Sequence, residues 1–245
     1  MGRKHMKKKA LIVYGGWEGH DPELVAHRFG GWLREENFDV NITDEMEKVF
    51  ADKDYLMGLN LIIPIRTQDE LSDPLEYNVA DAVDSGVGLA GCHGGMCDAF
   101  RFNVEWQWMT GATWVAHPGT KYIHLNSYDP DGSDAERGEG WSYTHYTVNF
   151  PKQCSSPLIE GLEDFDVFTE QYFLHIDPCV NVLATTTFKT PCPNMANGEI
   201  VMPVAYTKLW GKGRIFYCSM GHHDDIFDIP QVGTLMRRGL LWAAK

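Results

Sequence analysis

The pentapeptide Gly91-Cys92-His93-Gly94-Gly95 closes the apolar run Val87-Gly88-Leu89-Ala90 and carries two side chains capable of chemistry. A buried strand that ends abruptly in small residues implies a sharp turn into a helix, because glycine tolerates backbone angles that a Cβ forbids. Such an elbow lifts one side chain above the sheet, as hydrolytic α/β enzymes do with a nucleophile. The middle of this Gly-x-His-x-Gly pattern is His93, and Cys92 stands one place earlier. Cys92 could act as a thiolate with His222 as its base. Strand alternation instead turns Cys92 away from the side His93 faces and favours His93 as the projected residue.

Histidine recurs at other strand ends. His20 follows the first apolar run, and His222-His223 follow the last, Ile215 to Ser219. In a parallel sheet the ligand crevice lies at the carboxyl ends of the strands, so His20, His93 and His222 are expected to converge there. Imidazoles brought together in this way, joined by a carboxylate such as Glu170, suit a divalent metal such as zinc. Glu170 and His175 lie in a polar and aromatic segment with Tyr172 and are candidates for acid or base work on a hydroxylated ligand. Trp17, His20, His117 and Tyr172 are the candidate substrate contacts. No Gly-rich phosphate fingerprint, His-Glu-x-x-His helix or calcium loop is present.

The elements that must position these groups read in a regular rhythm. Strands are expected at Lys9–Gly15, Val40–Ile42, Leu59–Ile63 (closed by Pro64) and Val87–Cys92. Helices are expected from Pro22 to about Glu36, with Asp21 as N-cap, and over Leu71–Asp84. Strand alternating with helix in this way means an α/β fold, a parallel sheet covered by helices on both faces. Beyond residue 102 the pattern predicts a helix that gives way to a loop through Trp114–Pro118. Strands then follow at Lys121–Leu125 and Tyr146–Phe150, separated by a polar, Gly-rich loop from Asp129 to Gly140. The last elements are strands near Val180–Thr187, Met202–Lys208 and Arg214–Ser219, and a closing helix Pro230–Ala244 striped with Val232, Leu235, Met236 and Leu240. Residues 1–245 are expected to form one domain, with residues 1–8 a basic or disordered extension.

Composition narrows the function classes. The formal net charge of -13 disfavours nucleic acid or an anionic membrane as partner. No segment approaches the roughly 20 apolar residues of a spanning helix, and the basic run Arg3 to Lys9 lacks a signal-type apolar stretch, so a cytoplasmic location is expected. The six cysteines form no Cys-x-x-Cys pair and read as buried thiols. The hydrophobic share of 44% supplies a full core and leaves apolar surface for a homo-oligomer.

An ordered set of motifs now suggests a relationship. It comprises the loop Gly15 to His20, Gly88 to Gly95, Gly111 with His117-Pro118, Glu170-Gln171-Tyr172 with His175-Ile176-Asp177-Pro178, and Val182 to Thr185. It ends with Trp210 to Tyr217, leading to Gly221-His222 and the tail Arg238 to Ala244. Over residues 9–244 the chain resembles the ThuA-like, trehalose-utilisation family, whose fold is that of class I glutamine amidotransferases. The resemblance implies a flavodoxin-like three-layer sandwich. It also places His93 where the amidotransferases carry their catalytic cysteine, with His222 near their catalytic histidine. Their His-Pro-Glu is absent here, and His223-Asp224-Asp225 stands instead, so glutamine hydrolysis is not expected. The resemblance further implies a role on trehalose or a related disaccharide, in partnership with an oxidoreductase that makes 3-keto-glycosides. A 3-keto group acidifies the proton on C2, which a histidine or a metal-assisted site could move. Two alternatives stay open: a noncatalytic sugar-binding or regulatory protein, and a thiol enzyme using Cys92.

Overall fold

The computed structural model describes residues 7–117, 143–188 and 198–245. The expected strand at Lys121–Leu125, the Asp129–Gly140 loop, Pro118, Cys192 and most of the basic extension lie outside these residues.

The central sheet has seven strands in the order β2-β1-β3-β4-β11-β10-β9. They are β1 (Lys9–Gly16), β2 (Asp39–Thr43), β3 (Leu61–Thr67), β4 (Gly88–Cys92), β9 (Asn181–Phe188), β10 (Ile200–Trp210) and β11 (Gly213–Cys218). Strands β2, β1, β3, β4 and β11 run parallel, and β10 and β9 extend the sheet antiparallel. The inner strands carry continuous apolar runs, such as residues 10–13, 61–63 and 215–218, because both faces are covered. Along β1, Ala10 and Ile12 face one core while Leu11 and Val13 face the other.

Helices α1 (Pro22–Glu35) and α7 (Pro230–Ala243) cover the first face. They bury Val25, Phe29 and Leu33, and Val232, Leu235, Met236 and Leu240, each set at helical spacing. The second face carries α2 (Met46–Ala51), α3 (Lys53–Met57), α4 (Asp73–Ser85), α5 (Gly94–Cys97) and α6 (Val104–Thr110). This is the expected α/β, flavodoxin-like sandwich. Glu76 ties two of these helices together: its carboxylate accepts from the Trp106 amide at 2.5 Å and the Asn103 side chain at 3.0 Å, capping the start of α6.

Four further strands form two small antiparallel pairs: β5 (Ala112–Ala116) with β8 (Phe173–Ile176), and β6 (Tyr143–Val148) with β7 (Phe165–Glu170). Three local expectations are corrected here. The stretch around Trp114 is a strand rather than a loop, because β8 supplies its hydrogen-bond partner. The polar segment around Glu170–Asp177 is likewise the end of β7 and the whole of β8. Pro64 does not close β3, which runs on to Thr67. Strand β4 pairs with β3 only at Leu61 and Ile62, so proline's missing N–H falls beyond that ladder.

Candidate metal centre

His93 stands at the turn between β4 and α5 with φ 50° and ψ -140°, a conformation few residues other than glycine adopt. Its backbone is held from β11: its amide donates to the Cys218 carbonyl at 2.7 Å, and the Tyr217 hydroxyl donates to its carbonyl at 3.2 Å. The elbow costs on the order of 1–3 kcal/mol and persists because the sheet over-determines it. Gly221 (φ 141°) lies alongside, where a Cβ would stand 3.0 Å from Cys92 Sγ and 3.2 Å from His93 Cβ.

The other groups arrive from separate elements. His20 ends the 3-10 turn Glu18–His20 after β1, and its Nδ1 lies 2.8 Å from Thr67 Oγ1 at the end of β3. His222 follows β11. Glu170 is the last residue of β7, its carbonyl fixed by the Tyr146 hydroxyl at 3.1 Å. His20, His93, Glu170 and His222 are all buried, and one ligand atom from each lies within 4.8 Å of the others.

The carboxylate is the hub. Its Oε2 lies 2.9 Å from His93 Nε2, 2.9 Å from His222 Nδ1 and 3.2 Å from His117 Nε2. His93 Nε2 and Glu170 Oε2 are both sealed from solvent, so the short approach is made in a buried, low-dielectric setting. Several nitrogens and a carboxylate oxygen gathered at one buried point are an arrangement that could hold a cation. Ligands about 2.1 Å from a tetrahedral ion stand about 3.4 Å from each other, comparable with these separations.

The protonation pattern agrees. Burial pulls His93 down to about 4, and the Ser219 carbonyl accepts from its Nδ1 at 2.8 Å, leaving the Nε2 lone pair for the centre. Burial, with His93 and His222 beside it, also drives His20 well below its ordinary value. Burial alone would raise Glu170, but the imidazoles of His117 and His222 hold its carboxyl well below the usual range. Neutral His20 and His93 with an ionised Glu170 are in the state that a first-row divalent cation requires of its ligands.

His117, at the end of β5, adjoins the centre through Glu170 but is not in the four-ligand set. Tyr172 stacks on His93 with ring centroids 4.1 Å apart, and Trp17 meets the edge of His20 at 4.6 Å. His175 is not brought in. It sits on β8 next to buried Leu174, and the pleat that buries Leu174 turns His175 to solvent. Cys92 packs in the core, where burial and the neighbouring Cys218 push its thiol well above the ordinary value, the opposite of an activated thiolate.

Several site residues escaped sequence reasoning. Tyr143 contacts His222 at 5.3 Å, and Trp114 lies against His117 at 5.1 Å and Tyr172 at 6.2 Å. The indole Nε1–H of Trp114 is buried with no hydrogen-bond partner, while Arg101, fixed by Asp98, covers the ring at 4.9 Å. For Trp114 the signal was the apolar, aromatic pattern of residues 112–116.

Comparisons with known proteins follow from this geometry. Among curated proteins no sequence matches. A thua-like protein from Parabacteroides merdae ATCC 43184 superposes with a TM-score of 0.67 at 20% identity, over 98% of this chain and 91% of that one. One from Bacteroides uniformis ATCC 8492 gives 0.67 at 17% identity, over 99% and 94%. A β-galactosidase from Rahnella sp. R3 shares the fold at 0.56 and 15% identity, over 97% of this chain but 30% of that one. Among the described residues no helix is long and apolar enough to cross a membrane. The model of the ThuA family, described as trehalose utilisation, matches residues 9–243, and the chain belongs to that family.

Proposed function

We propose that the protein moves a proton next to the carbonyl of an oxidised sugar, in a site built on one divalent cation held by His20, His93, Glu170 and His222. The observation that carries this reading is the convergence of His20, His93 and His222 with the Glu170 carboxylate, all buried, with one ligand atom from each within 4.8 Å of the others. Membership of the trehalose-utilisation family supports a carbohydrate as the ligand class. When bound, the cation polarises the sugar carbonyl and lowers the cost of enediolate charge.

The remaining residues act around it. His20 and His93 each have both ring nitrogens committed, to Thr67 or Ser219 on one side and the centre on the other. His117 lies outside the ligand set but within 3.2 Å of Glu170, and it is the imidazole placed to take a proton from sugar carbon. The Trp114 indole N–H offers a donor to a sugar oxygen, and Trp17 and Tyr143 supply apolar walls. A substrate of this kind has to come from a dehydrogenation that installs the ketone, which fits a sugar oxidoreductase as metabolic neighbour.

The test is solvent exchange. A 3-keto-glucoside in deuterium oxide should gain deuterium at C2 in the presence of zinc-loaded protein, with the unoxidised glucoside inert. His117→Gln should lose exchange while keeping its metal. Saturable sugar binding with no exchange under any metal condition would replace this reading with a noncatalytic sugar-binding protein.

A further inference from the structure

Beside the ligand cluster, and outside it, lies a second set of charged groups that joins the two loops carrying His20 and His222. Asp21 directly follows His20, and His223 directly follows His222. The Asp21 carboxylate accepts from His223 Nδ1 at 3.0 Å and from the Asp224 amide at 3.3 Å. Nearly two turns into α1, Arg28 grips Asp224 with both prongs, Nε to Oδ1 at 2.7 Å and Nη2 to Oδ2 at 2.6 Å, and reaches Asp228 at 2.8 Å.

The chain accepts an unfavourable backbone to make these contacts. Asp21 sits in the left-handed region at φ 47° and ψ 45°, at the junction of the 3-10 turn with α1. Glycine would adopt this conformation at lower cost, whereas Asp21 adds the carboxylate that makes the contacts to the loop after β11. Neither histidine ligand has a long element of its own to hold it. His20 ends a three-residue turn, and His222 precedes the five-residue turn Asp224–Asp228.

We infer that Asp21, Arg28, His223 and Asp224 are positioning residues that staple the loop after β1 to the loop after β11 and thereby fix His20 and His222 for the cation. The inference rests on the metal-centre reading above. It assigns these four residues a role through the ligands rather than on the substrate. The clamp spans about 200 residues of chain, yet acts one residue away from each ligand. A shift in either loop therefore reaches a metal-binding nitrogen directly.

Zinc affinity of the full, tag-free chain, measured by competition with a chromogenic chelator at neutral pH, tests the clamp. Asp21→Gly relieves the backbone strain but removes the carboxylate, and it should weaken zinc binding by about 10–100-fold, as should Arg28→Met and Asp224→Asn. Asp21→Asn keeps an acceptor and tolerates the same backbone region, so it should recover most of the affinity. Asp177→Ala breaks a part-buried ion pair with Lys208 that shares no residue with the clamp, and it should leave zinc affinity unchanged while lowering the melting temperature, which separates positioning from stability. Asp21→Gly and Arg28→Met binding zinc as tightly as the wild type would overturn the clamp alone. A wild-type chain that binds no zinc would overturn the centre and the clamp together.

Discussion

Replacing Gly94 by alanine probes the centre without substituting any of its ligands. Gly94 opens α5 directly after His93, and its backbone has no need of glycine's freedom. A Cβ there would meet Thr67 Cγ2 at 2.7 Å, His20 Cε1 at 2.8 Å and Thr67 Oγ1 at 2.9 Å. Ordinary contacts begin near 3.4 Å, so the His20 ring must retreat by 3.4 minus 2.8, or 0.6 Å. It cannot do so freely, because Trp17, His93 and His222 hold ring contacts with it at 4.6, 4.5 and 5.0 Å. Overpacking of this kind costs about 1–3 kcal/mol. The same displacement also breaks the alignment of His20 with Thr67, so zinc affinity should fall by about 10–100-fold, as for other losses of outer-shell support. Chelator competition and a thermal melt read the two effects separately. Gly31→Ala is the control: nothing stands within 4 Å of its Cβ, and alanine inside α1 should raise stability by up to about 1 kcal/mol. Wild-type zinc affinity in Gly94→Ala would refute the claim that His20 is a fixed ligand.

Other consequences can be checked independently. Lys208, 5% exposed, donates to Asp177 at 2.7 Å and to the Trp108 carbonyl, so Asp177→Ala strands a buried ammonium and should cost about 3 kcal/mol in denaturant unfolding. The Lys208 ammonium, with the Cys179 amide, depresses the Asp177 carboxyl, so its contribution is complete above the unfolded value of about 3.9 and fades as pH falls through the lower folded value. The stability difference between wild type and Asp177→Ala should therefore shrink in acid, and a constant difference would contradict the pairing. Cys92 should resist iodoacetamide in the native protein and react after unfolding; rapid native labelling with loss of function would revive the thiol enzyme. Trp114→Phe keeps the ring and loses the orphan N–H, so it should raise KM for the keto-sugar with kcat little changed, and an unaltered KM would remove Trp114 from the ligand site.

Strands β1, β4 and β11 were legible because each contains a buried apolar run that stops at small or polar residues, and the same stops placed His20, His93 and His222. Physical chemistry of the single chain says less about β5, β7 and β8, which are short, mixed in polarity, and find their ladder partners in small two-stranded pairs, β5 with β8 and β7 with β6. The distance from His93 to Glu170 along the chain hides their contact, which exists because β6 carries the end of β7 over the sheet. His175 looked equivalent to Glu170 by proximity in sequence, but the pleat of β8 faces it to solvent. Helices α2 and α3 are six and five residues long, too short for a periodic signature. Asp21 read as a conventional N-cap, whereas its carboxylate makes no cap bond and serves the loop after β11 instead.

Elemental analysis of tag-free protein, incubated with zinc and freed of excess metal, addresses the centre most directly. Wild type should retain about one zinc per chain, and His93→Ala and Glu170→Ala should retain almost none while keeping a native circular-dichroism spectrum. Metal-free wild type, or equal metal in all three, would contradict a centre built on His20, His93, Glu170 and His222.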